Sequence, residues 1–221
     1  VSFTVSDSNG CGDVFFNGGT TTTVFRSGVT ETCAASNPNC YRVATTTAHS
    51  CPNPTSSQTS ANATATVEIF YFADATDASS SYSAQSWFAF VQARDQAGAT
   101  ATASSTATTD VLTLNAINVT TSSLNYGTIA AGADTGATNQ TATTTNAGNS
   151  STTLRLSSFQ TLKSGSNSIA TSSQRYSTSS FTYAGTSTAL TESPVTVTDF
   201  FLTVPTSTSF VQKATFWGLT V

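Results

Sequence analysis

Apolar and hydroxyl-bearing residues alternate along this chain in short runs. "VSFTVS" sets Val1, Phe3 and Val5 against Ser2, Thr4 and Ser6, the period-two pattern of a half-buried strand. The turn "DSNG" closes it. "TTTVFR", "CYRVATTT", "TATVEIFYF", "SWFAFVQAR" and "ATATASST" follow as further strand candidates. In "TATVEIFYF" both faces are large, with Val67, Ile69 and Tyr71 on one and Phe70 and Phe72 on the other. That predicts a central strand buried on both sides, or one covered by a neighbouring subunit.

Residues 99–109 are almost all Ala, Thr and Ser, and the alternation restarts after them. The second half reads "LNYGTI", "NQTATTTNA", "STTLRLSSF", "SFTYAG", "TDFFLTV" and "ATFWGLTV". No helical period appears. Short strands separated by Gly and Asn turns predict an all-β chain of two tandem immunoglobulin-like sandwiches of about 100 residues each. The expected domains are 1–110 and 111–221.

Composition narrows the class. Charged residues make up 8% of the chain, against about 25% in ordinary globular proteins. Thr (46) and Ser (34) together exceed a third of the 221 residues, so hydroxyls rather than charges must solvate the surface. Lys and Arg total 7 and the net charge is −4. Nucleic-acid binding needs a basic footprint, and that class is rejected. No apolar run is long enough to span a bilayer. With no Met and no secretory leader pattern in the sequence, the numbering is expected to begin after processing or inside a longer precursor.

The four cysteines, Cys11, Cys33, Cys40 and Cys51, cluster early. An even count in a charge-poor chain predicts two disulfides and an oxidising, extracellular setting. A zinc site would want a shorter Cys spacing and more than the single His49. Three pairings are open. The short polar loop "CAASNPNC" favours Cys33–Cys40 with Cys11–Cys51.

"VSFTVSDSNGCGDV" and "RDQAGATATAS" resemble bacterial immunoglobulin-like modules of secreted surface proteins, in which a strand ends in an Asp-x-x-Gly turn. "LNYGTIAAGADTGATNQTATTTNAGNSSTTLRLSS" is similar to a second immunoglobulin-like type, found in surface proteins of archaea and small-genome bacteria. The resemblance implies a fold and a surface location without implying an activity. In modules of the second type a Trp-Gly strand is usually followed by one more strand. The second domain is therefore expected to lack its final strand, leaving "ATFWGLTV" uncovered by its own chain.

Chemistry is sparse. His49 lies in a polar stretch beside Cys51, no G-x-S-x-G motif occurs, and no catalytic residue is assigned. Two carboxylates could serve a glycosidase only across a cleft, and tandem sandwiches without long loops offer little cleft. "DSNGCGD" and "ADATD" place Asp7, Asp13, Asp74 and Asp77 as a candidate calcium set. The alternative makes Asp7 and Asp95 turn residues that bond nearby backbone amides. Four sequons, at Asn62, Asn118, Asn139 and Asn149, match chance in so hydroxyl-rich a chain, and they leave glycosylation open.

These readings converge on a subunit of an extracellular, pilus-like filament. An apolar strand at an open edge invites another chain, strand donation would satisfy it, and a head-to-tail contact that does not close grows a fibre. The expected interface residues are Val1, Phe3 and Val5 on the donor side, with Phe201, Trp217, Leu219 and Val221 on the acceptor side. The alternative for "VSFTVS" is an internal strand of the first domain. The alternative function is an adhesin or stalk segment that binds glycan or protein, and a fragment of a longer fibre protein is a third reading.

Overall fold

In the computed structural model, which describes residues 1–33, 37–44 and 46–221, the hydroxyl-flanked runs form antiparallel sheets with only short helical turns between them. Two compact units divide the chain: Val1–Leu114 with Thr206–Thr208, and Asn115–Pro205 with Ser209–Val221. The boundary lies later than the expected 110/111 for a local reason. Thr76 and Val111 bond reciprocally, Thr76 N to Val111 O at 2.8 Å and Val111 N to Thr76 Oγ1 at 3.1 Å. Thr113 N also donates to the Asp77 carboxylate. Residues 111–113 are thereby tied to the first unit.

The first unit holds β1 (Ser2–Ser6), β2 (Gly19–Arg26), β3 (Cys40–Val43), β4 (Ala48–His49), β5 (Ser60–Thr64), β6 (Trp87–Arg94) and β7 (Thr100–Ser104). They make two sheets, of order β1-β5-β4 and β3-β2-β6-β7. A one-turn π-helix, Asp13–Asn17, follows the first turn. In that turn Asn9 N donates to Asp7 Oδ1 at 2.7 Å and Gly10 N to Asp7 O at 3.2 Å. Gly10 sits at φ 109°, where a Cβ would fall 2.1 Å from Ser56 O, so the turn requires glycine. Disulfides join Cys11 to Cys51 and Cys33 to Cys40.

Residues 65–72 are not the expected strand. After β5 the chain runs on without a ladder, and its aromatic rings do the packing. Phe70 and Phe72 stack at 5.3 Å, and Phe70 meets Tyr41 at 5.8 Å. Tyr41 in turn stacks on Trp87 at 5.8 Å. Phe72 is fully buried, whereas Ile69 is 46% exposed. Large side chains on both faces thus mark an aromatic plug rather than a central strand.

The second unit holds β8 (Ile117–Val119), β9 (Gln140–Asn146), β10 (Thr152–Leu156), β11 (Leu162–Ser164), β12 (Asn167–Ile169), β13 (Gln174–Ser177), β14 (Thr188–Ala189), β15 (Val195–Leu202) and β16 (Gln212–Leu219). A five-stranded sheet runs β14-β13-β16-β9-β8, and a two-stranded sheet pairs β10 with β15. Leu154, Val197, Phe200 and Leu202 of the smaller sheet share one core with Tyr176, Leu190 and Trp217. Asn146, wholly buried, fastens the "NAGN" turn: its Nδ2 donates to Ser150 O and Thr203 O, and its Oδ1 accepts from Gly148 N.

The terminal strand corrects the expectation of an uncovered end. β16 lies inside the sheet, paired with β13 on one side and β9 on the other. Trp217 faces Tyr176 directly across the ladder, rings 5.5 Å apart. On the opposite face a Cβ at Gly218 would meet Thr135 Oγ1 at 2.9 Å, Tyr183 at 3.2 Å and Phe181 at 3.3 Å. Earlier segments of the same chain thus flank β16 on both edges and pack on it at Trp217 and Gly218, while Val221 is exposed.

Candidate interaction edges and acidic cluster

Every sheet ends in edge strands, and their protection differs. Edge strands expose unpaired N–H and C=O groups, which soluble proteins blunt with charge, proline, bulges or shortness. β3 carries Arg42 and β10 carries Arg155, whose guanidinium donates to Pro194 O at 3.1 Å. β15 is interrupted where its register with β10 shifts, and Asp199 there takes φ 59°. β4 and β14 are two residues long. β1 (SFTVS), β7 (TATAS) and β8 (INV) have neither charge nor proline. Each stands at the end of its sheet, with no strand on its outer side among the described residues. Ile117 and Val119 of β8 are 45% and 49% exposed.

The expected interface residues fall into two groups. Val5 is buried within its own unit, because β1 pairs with β5 in the register Phe3↔Ala63 and Val5↔Ala61. The Val1 amino group also donates to Ala65 O at 2.8 Å. β1 thus takes the internal-strand alternative in this chain. Trp217 and Leu219 are core residues, closed off by the chain's own β9 and β13. Phe201, Val221 and Val1 are exposed, and Phe3 is half-buried.

The candidate calcium set separates. Asp74 forms an ion pair with Arg26 at 2.9 Å, both side chains largely buried, and the guanidinium lies 3.6 Å from the Tyr82 ring centroid. Asp77 clamps the 111–113 stretch. The Thr113 backbone N–H, the Ser79 hydroxyl, the Thr113 hydroxyl and the Ser79 backbone N–H all donate to it, holding its carboxyl down at about 2. Asp7 and Asp13 instead gather with Asp95, their carboxylate oxygens within 4.8 Å of one another. Oxygen-only donors of this kind suit a hard cation such as calcium. Two of the three already have turn roles, since Asp7 accepts from Asn9 N and Asp95 from Ala99 N at 2.7 Å. The sequence signal for Asp95 was its "DQAG" turn, a second Asp-x-x-Gly like "DSNG".

His49 stacks on Phe15 at 4.7 Å and meets Phe16 edge-on at 5.2 Å. Its Nδ1 is buried without a partner among the described residues, packed beside the two phenylalanine rings. Among the sequons, Asn62 and Asn118 are exposed. Asn149 is buried, and Asn139 spends its Oδ1 on Phe181 N while its Nδ2 is enclosed. No helix among the described residues is long and apolar enough to cross a membrane. Comparisons with protein-family models, curated proteins and solved structures found no match for this chain.

Proposed function

We propose that the protein is a structural subunit of an extracellular, pilus-like filament, built from two immunoglobulin-like modules and joined to copies of itself by pairing of strand edges. The observation that carries this reading is that each unit has sheet edges free of charge and proline, β1 and β7 in the first and β8 and β12 in the second, of which β1 and β8 are the pair joined here. A chain that stays monomeric pays a solubility risk for such edges. A chain that polymerises uses them.

The two edges differ in sequence, so contact between β8 of one copy and β1 of the next is heterologous. Such a contact repeats without closing and generates a fibre. Backbone pairing would supply most of the bonds, with Ile117 and Val119 adding apolar contact. The route differs from full donation of β1, which here completes its own sheet. The two disulfides suit an oxidising, extracellular setting. A hydroxyl-rich, charge-poor exterior also limits the like-charge repulsion that closely stacked subunits would otherwise meet.

Sedimentation at rising concentration tests the reading. The native chain should associate, and Val119→Lys or Thr4→Lys should hold it as a folded monomer by placing charge on an edge. A native chain that sediments as a monomer throughout, or lysine variants that associate as readily as the parent, would refute edge pairing.

A further inference from the structure

We propose that the outer face of the sheet β3-β2-β6-β7 binds a single neutral sugar ring. Two neighbouring cross-strand rows build the site. Arg42, Thr23 and Phe90 lie in register across β3, β2 and β6. Thr21, Gln92 and Thr102 do so across β2, β6 and β7. Residues two apart on a strand share a face, so both rows lie on the face opposite the buried Trp87 and Val91, with Thr23 itself buried in its floor.

Glu31 and Thr32 complete the wall of a cavity of about 250 Å³. They come from the loop after β2, which the Cys33–Cys40 disulfide fastens to β3. A ligand pocket for a drug-sized molecule runs from about 300 to 1,000 Å³. The smaller space here limits the enclosed part of a ligand to one ring.

The lining chemistry selects the class. Arg42 only donates, Glu31 only accepts, and Gln92 and the threonines do both. Neighbouring hydroxyls on a sugar ring are donors and acceptors at once, and they match that mixture. Among the described residues, the side chains of Arg42, Glu31 and Gln92 are not committed to one another or to another side chain. One cation and one carboxylate cancel, so an anionic ligand would face Glu31 and a cationic one Arg42. Among the described residues Phe90 offers the only aromatic surface in the cavity, suited to the C–H face of a pyranose. None of these residues belongs to β1 or β8, so this site can fail or hold independently of filament assembly.

The test is nuclear magnetic resonance of the isotope-labelled full chain, titrated with the methyl glycosides of glucose, galactose, mannose and N-acetylglucosamine. N-acetylneuraminic acid and glucosamine serve as charged controls. At least one neutral glycoside should shift the Gln92 side-chain amide together with the backbone amides of Thr21, Thr23 and Thr102. Gln92→Leu and Arg42→Leu should each weaken that binding by about tenfold or more, because each leaves a sugar hydroxyl unpaired. Thr102→Val, on an exposed edge strand, keeps the test available if either variant fails to fold. The proposal is overturned if no neutral glycoside shifts these signals at tens of millimolar, if only the charged sugars do, or if the folded variants bind as the parent does.

Discussion

Arg26 holds a largely buried ion pair in the first unit. Its guanidinium meets Asp74 at 2.9 Å, lies over Tyr82 and donates to Gln85, in a place where both charges are largely removed from water. Removing one partner of a buried pair strands the other, at a cost of about 3 to 5 kcal/mol. Arg26→Ala should destabilise the first unit by that order, read in denaturant by Trp87, whose indole donates to Asp74 O. Trp217 should hardly move, since it belongs to the other unit. Asp77 behaves differently because its partners are neutral. Four donors hold its carboxyl down from 3.8 to about 2, so its contribution is complete above its unfolded value and lost as the pH falls through the folded one. Melting curves between about pH 4 and pH 2 should show the first unit weakening, and Asp77→Asn should flatten that part of the dependence.

Strands were legible where short runs of β-branched and aromatic residues lie between turn signals. β1, β2, β6, β9 and β16 fall on such runs, and in β1 the period of two also marks the buried face, with Val5 inward. Residues 65–72 misled for the opposite reason: both faces are large, and aromatic stacking buries them without a ladder. "LNYGTI" and "SFTYAG" also lack strands, although Tyr126 accepts a bond from Gln174 and Tyr183 donates one to Ser173 O. Pairing order was not legible at all. Nothing in "ATFWGLTV" says that β13 and β9 will flank it, since those partners are chosen by the whole chain. The acidic cluster was half legible for the same reason, as Asp95 reaches Asp7 and Asp13 only through folding. The disulfides act at this scale too. Cys11–Cys51 spans 40 residues, and loss of a native disulfide from a small domain costs about 2 to 5 kcal/mol. Reduction should lower the melting of the first unit and leave the second, which has no cysteine, nearly unchanged. Equal loss in both units would contradict that division.

For the whole molecule, both units are built of antiparallel sheets whose edges are unequally protected. Each combines guarded strand edges with at least one that carries neither charge nor proline, and the proposed function rests on that asymmetry. Electron microscopy of the oxidised, full-length chain at high concentration tests it most directly, with a map fine enough to trace strands. Filaments are expected in which β8 of one subunit lies hydrogen-bonded beside β1 of the next, while β16 keeps its partners β13 and β9 within its own chain. Dispersed monomers, or filaments whose joints leave both β1 and β8 free, would contradict it.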